Sequence, residues 1–449
     1  MKFRMTAMAA GVALALGAAP GAQAQGSQRQ DFTMWYGLTG QLSEAVQQVC
    51  KRFNDSQDQY RITCTSQGEY DKNLQNTIAA FRAGQQPTIT QVYDIGTLDL
   101  MLSGQYVPAR ELMQGQGHQI DWNNYIKPIA NYYATSKGEM LSFPFNSSTA
   151  VMYWNRAEGK KVGQETPPAT WEELHAALGK MKAAGKSCPL ALDFDSWVVF
   201  EQFASAHNIP VASKDNGYGG LDAEYVFAQQ PLMRQHLNNL HNWYKEGLAG
   251  IRTREGGQNV VAAFASGDCA VAFASIANHQ TIMRSQTEGL DWTPALIPMY
   301  EGHQRFNTRV GGASLWALKG RPEAEYKGAA AFFAFIAQPE SEVFWSTITG
   351  YVPVTRAGYD RMVQEGFFKK PENVGREVAM ESLLLENQSP LTSGLRLGNG
   401  TQFRALYANE MQAAFSGQKT MDQAIDAMQT QGNQFLRRFQ QTYRGKTLP

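Results

Sequence analysis

The stretch "FTMWYGLTGQLSEAVQQVCKRFNDSQDQYRITCT" (Phe32–Thr65) sets the fold class. Phe32–Tyr36 reads as a strand, rich in aromatic and apolar side chains. Leu42, Val46, Val49, Cys50 and Phe53 then recur at helical spacing, and Tyr60–Thr65 returns to a two-residue alternation. The pattern continues outward. Asn73–Ala83 places Leu74, Ile78 and Phe81 on one helical face and stops at Gly84, and Thr88–Tyr93 is a further strand ending at Asp94-Ile95-Gly96. Strand and helix in alternation predict an α/β protein, an open sheet with helices on both faces.

A second run of the same kind starts at Thr149–Asn155. Thr170-Trp171-Glu172-Glu173 is a capping box that opens a helix with Trp171, Leu174, Leu178 and Met181 turned inward. Helices are expected at Met233–Lys245, Val260–Ala265, Glu323–Ala337, Gln402–Phe415 and Met421–Tyr443. No repeat or long flexible linker separates the two runs, so short ordered segments should connect two lobes.

Residues 1–24 read as a cleavable signal peptide. Lys2 and Arg4 precede the apolar run Met5–Ala19, and Ala22-Gln23-Ala24 is a small-x-small cleavage site. The 40 basic and 40 acidic residues balance, and removal of Lys2 and Arg4 with the leader leaves a slight acidic excess. That charge excludes nucleic acid or an anionic membrane as partner. An exported chain can form disulfides. The helical stripe and the strand face put Cys50 and Cys64 in one layer, which allows a bridge; four buried free thiols, with Cys188 and Cys269, are equally allowed. The spacing of the four Cys and seven His matches no zinc motif.

Catalytic signatures are missing: Gly311-Gly312-Ala313-Ser314 has the wrong spacing for a nucleophile elbow, and Gly115-Gln116-Gly117 lacks a strand-turn-helix context. Trp35, Tyr36, Asp94, Ser147, Ser148, Trp197 and Ser275 instead lie near strand ends, where open α/β folds bind ligands. Aromatic faces with hydroxyls and carboxylates suit a polyol or sugar.

The segments "FRAG" (Phe81–Gly84), "PPATWEEL" (Pro167–Leu174), "FASGDCA" (Phe264–Ala270) and "TGYVP" (Thr349–Pro353) resemble the extracellular solute-binding proteins of ABC sugar importers. Five others narrow the resemblance: "QGEYDKNL" (Gln67–Leu74), "QVYDIGT" (Gln91–Thr97), "PFNSST" (Pro144–Thr149), "GGASLW" (Gly311–Trp316) and "GLRLGN" (Gly394–Asn399). With these, nearly the whole mature chain is similar to the periplasmic sn-glycerol-3-phosphate-binding proteins of ABC importers.

The resemblance implies a periplasmic-binding-protein-like fold of two α/β lobes around a ligand cleft, one of residues 25–146 and 304–350, the other of 149–300 and 353–449. Hinges are expected at Ser147–Thr149 and Tyr351–Pro353. It implies ligand contacts from Tyr70, Ser148, Ser275, Tyr351 and Arg396, with an amide at Gly312. The hydroxyls, the amide and Arg396 would hold a phosphate, and Arg396→Ala would weaken binding while the fold survives. Asp94 stands where the family has glutamate, and Phe194 where it has tryptophan. Both changes imply a roomier glycerol end, which either holds a water in the gap with specificity unchanged or admits a glycerophosphodiester such as glycerophosphocholine, its methyls against Trp35, Tyr36 or Trp197. The resemblance implies a monomer, without enzymatic activity or cofactor, that delivers its ligand to an ABC permease and ATPase. An unphosphorylated oligosaccharide as ligand, a secreted phosphodiester hydrolase and an adhesive envelope protein are the competing readings.

Overall fold

The computed structural model describes residues 29–253 and 259–449; the expected leader lies outside the described residues. Strand β1 (Gln30–Tyr36) buries Phe32, Met34 and Tyr36 on one face and pairs in parallel with β2 (Tyr60–Ser66). The helix between them, Gly40–Ser56, buries Ala45, Val46, Val49, Cys50 and Phe53 against that face. Phe53 meets Phe32 edge-on at 6.1 Å and Phe332 at 5.3 Å. Phe332 belongs to the helix Glu323–Ile336, so a late segment closes the same core.

The first sheet contains β1, β2, β3 (Ile89–Tyr93), β4 (Tyr106–Val107), β5 (Phe143–Ser148) and β11 (Gly311–Leu318). Its order is β2-β1-β3-β11-β4, with β5 also on β11. The second sheet contains β6 (Ala150–Asn155), β7 (Cys188–Leu192), β8 (Ala249–Ile251), β9 (Cys269–Ser275) and β10 (Trp292–Ala295), in the order β10-β6-β9-β7-β8. Both sheets are mixed. β11 runs antiparallel to β3 and β5, and β6 antiparallel to β9 and β10. The C-terminal helices Gly400–Phe415 and Met421–Thr442 bury Phe403, Tyr407, Met411, Ile425 and Met428 in the core of the second sheet.

The chain passes between the sheets on short ordered segments. Thr149 alone separates β5 from β6. Its hydroxyl donates to Thr308 Oγ1 (2.6 Å), on the segment returning from β10 to β11. The third crossing lies beside the first: Val352 N donates to Ser147 O at 2.9 Å. Buried Glu342 holds this third segment, accepting from Val354 N, Thr355 N and Thr355 Oγ1 at 2.9, 3.1 and 2.7 Å. Burial pushes its carboxyl up to about 7 despite these three donors. Among the described residues no helix is long and apolar enough to cross a membrane.

All four cysteines are bridged. Cys50–Cys64 ties the first helix to β2, and Cys188–Cys269 ties the register partners of β7 and β9. The bridges span 14 and 81 residues of sequence. On the loop-closure model the longer one stabilises by about 1.5 kcal/mol more. Replacing Cys188 and Cys269 with alanine is therefore expected to lower the urea midpoint more than the same change at Cys50 and Cys64.

Candidate functional site

A cleft of about 750 Å³ opens between the two sheets, beyond the carboxyl ends of β1, β3, β7 and β9. Two longer helices begin at its wall. Thr39, Gly40 and Gln41 open the helix Gly40–Ser56, and Tyr70 opens the helix Tyr70–Arg82. Neither has a side-chain cap on its first turn. The amides and positive dipole ends of both helices favour an anion.

Hydroxyls line the same side. Gly37 N donates to Gln91 Oε1 (2.8 Å), Gln91 Nε2 to Asn146 Oδ1 (2.7 Å) and Asn146 Nδ2 to the Tyr70 hydroxyl (2.8 Å). Having accepted one proton, the Tyr70 oxygen keeps its own to donate, toward Tyr351 (3.3 Å away) or a ligand. Burial holds both phenols above their ordinary range, so each remains a neutral donor. Ser275 accepts from Ala277 N at 3.1 Å and likewise keeps its own proton. Gly312 sits at φ +113°, and a Cβ there would lie 1.9 Å from Asn146 O. Glycine is required at that point for the wall to close.

Beyond Tyr93, which stacks on Tyr70 at 5.3 Å, the cleft wall is ionic. Arg404 Nε and Nη2 donate to the Glu201 carboxylate at 2.9 and 3.0 Å. Nη1 and Nη2 donate to Asp94 at 3.3 and 3.0 Å. Four of the five guanidinium protons are thereby used, leaving one on Nη1. Asp94 Oδ1 also accepts from Ile95 N, and burial raises its carboxyl, with Arg404 opposing and Glu201 adding to the shift. Burial acts on Glu201 in the same direction, but Arg404 and Arg309 hold it below its ordinary value. An arginine so compensated does not attract a phosphate. One N–H beside a carboxylate suits a vicinal diol instead.

Tyr70, Asp94, Ser148, Ser275, Gly312, Tyr351 and Trp197 all line the cleft. Arg396 does not. Its guanidinium is buried and donates to Tyr132 O (3.0 Å), Ala134 O (3.2 Å) and Asn131 O (3.4 Å), at the carboxyl end of the helix Lys127–Tyr133. Tyr218 stacks on it at 4.5 Å. Those carbonyls lack helical donors, which is why a cation sits there. Phe194 packs on Phe415 (5.4 Å) rather than on the cleft, so its difference from tryptophan does not enlarge the site. Tyr36 is buried beneath the wall, bonded to Ser43 and Gln47, and Trp35 is outside the lining.

Sequence reading missed Arg404. It lies one turn into the helix Gly400–Phe415, on the face shared with buried Gly400 and Tyr407. A cation there runs against the dipole, the signal that could have found it.

Residues 48–373 match the family model for bacterial extracellular solute-binding proteins. The chain belongs to that family. It is 37% identical over 435 residues to the sn-glycerol-3-phosphate-binding periplasmic protein UgpB of Escherichia coli K12, covering 96% of this chain and 97% of that one. Solved solute-binding proteins share its fold. UgpB of Mycobacterium tuberculosis, in complex with glycerophosphocholine, superposes with a TM-score of 0.75 at 20% identity, over 92% of this chain and 100% of the other. The sugar-binding protein MalE of Xanthomonas citri gives 0.71 at 14% identity, over 93% and 100%.

Removing Arg396 leaves buried carbonyls without donors, a cost of about 1–3 kcal/mol. Arg396→Met is therefore expected to lower the unfolding temperature. Unchanged stability together with lost ligand affinity would return this arginine to the cleft.

Proposed function

We propose that this chain is the periplasmic solute-binding component of an ABC importer, taking sn-glycerol-3-phosphate and glycerophosphodiesters. The observation that carries the reading is the cleft's two-ended chemistry. One end offers helix N-termini and the hydroxyls of Tyr70, Ser148, Ser275 and Tyr351; the other offers the Asp94–Arg404 pair. A phosphate binds the first through neutral donors, and the glycerol diol binds the second, giving protons to Asp94 and accepting one from Arg404. The similarity to glycerol-3-phosphate-binding proteins over nearly the whole chain supports this choice over an unphosphorylated oligosaccharide.

The cleft's volume, about 750 Å³, exceeds what a monoester of about ten heavy atoms fills. Trp197, Asp193 and Asp195 line its remainder, an aromatic and acidic surface suited to the cationic alcohol of a diester. Ser147–Thr149 and Tyr351–Pro353, adjacent in space, act as hinges between lobes 25–146 plus 304–350 and 149–300 plus 353–449. The closed form delivers the ligand, chemically unchanged, to the permease.

Calorimetry tests the reading. Wild type should bind glycerol-3-phosphate with inorganic phosphate as a competitor, and the ligand should be recovered intact after long incubation. Ser148→Ala and Ser275→Ala each remove a donor to a charged oxygen, so each should weaken binding by about 1.5–3 kcal/mol. Full affinity in both variants would refute the placement of the phosphate.

A further inference from the structure

Behind Arg404 lies a second ion pair that does not reach the cleft wall. Glu201 is 2% exposed and Arg309 is 1% exposed, with Arg309 Nη1 3.7 Å from Glu201 Oε2. No protein hydrogen bond among the described residues reaches the Arg309 guanidinium, so Glu201 is its ionic partner. The surroundings fix both groups. Ser196 Oγ donates to Glu201 Oε1 at 3.1 Å, and Gln202 Nε2 donates to Arg309 O at 2.9 Å. Glu201 closes the π-helical turn Trp197–Glu201, whose first residue lines the cleft. Such turns recur at functional sites. The four groups Asp94, Arg404, Glu201 and Arg309 form one cluster of two carboxylates and two guanidiniums, formally neutral, in which Arg404 alone reaches the cleft as a partly exposed cation.

We infer that Glu201 and Arg309 are positioning residues that set ligand specificity: by neutralising Arg404 from behind, they make the polyol end of the cleft accept an uncharged diol and reject a second anionic group. Without Glu201 the cluster is Asp94 with two guanidiniums, and although Asp195 still acts on Arg404 from the cleft wall, the site is one negative charge poorer and admits a carboxylate more readily. With Glu201 in place, a ligand carboxylate meets Asp94 and no uncompensated cation. Like charges brought together at a desolvated contact discriminate strongly. The inference rests on the proposed function, because it takes the diol to lie on Asp94 and Arg404.

The probe is 3-phosphoglycerate, which carries a carboxylate in place of the terminal CH2OH of glycerol-3-phosphate. Wild type should prefer glycerol-3-phosphate by at least about tenfold, measured by calorimetry. Glu201→Gln should narrow that ratio by about tenfold, Glu201→Asp should largely restore it, and Arg309→Gln, which leaves the cluster negative, should widen it. A purely structural role would weaken both ligands equally and leave the ratio unmoved. That result in a folded variant overturns the inference. Equal binding of the two ligands by wild type overturns it without any variant. Failure of wild type to bind either ligand instead refutes the underlying reading of the cleft.

Discussion

Arg404 is shared between carboxylates of the two lobes. Asp94 directly follows β3 of the first sheet, Glu201 lies in the layer packed on the second sheet, and the guanidinium spans them at about hydrogen-bond distance on both sides. Burying one such charge alone costs several kcal/mol, so each of the three groups requires the others. This constraint gives the cleft its polarity. It compensates the arginine before any ligand arrives, which is why the proposed function gives the anion to the hydroxyls and helix N-termini of the cleft. It also ties the ligand site to the relative position of the lobes, because moving them apart separates Asp94 from Arg404.

The crossings show how little chain is needed to join two cores. Thr149, Thr308 and the Ser147–Val352 bridge lie together, and the buried carboxylate of Glu342 organises the third strand by accepting from successive amides. A carboxyl raised to about 7 binds a proton in the folded state that the unfolded chain releases near its ordinary value of 4.5. The contribution of this group to stability is complete below about pH 4.5 and is lost as the pH rises through about 7. Burial carries that cost toward neutral pH, and the three donors that fix the crossing reduce it by favouring the carboxylate.

Local periodicity made most elements legible. The stripe Leu42–Phe53, the capping box at Thr170 and the C-terminal helices depend on residues close in sequence, and each forms where its pattern ends. What the sequence could not show is long-range. β11 enters the first sheet from far along the chain, and the pairing of Cys188 with Cys269 depends on the register of β7 and β9. Arg396 is the instructive failure. The resemblance implied a phosphate contact there, but the guanidinium binds backbone carbonyls and the flanking glycines serve close packing: a Cβ at Gly394 or Gly398 would come 2.1 Å from the rings of Tyr132 and Phe439. Arg404 stands in an ordinary-looking helix, and only the approach of Asp94 and Glu201 gives it a role at the cleft.

The decisive measurement is the position of phosphorus in a crystal structure of the complex with glycerol-3-phosphate. The phosphate is expected within hydrogen-bond reach of Ser148, Ser275 and Tyr351, with the two glycerol hydroxyls on Asp94 and Arg404. A phosphate seated on Arg404, with the glycerol turned toward the serines, would contradict it.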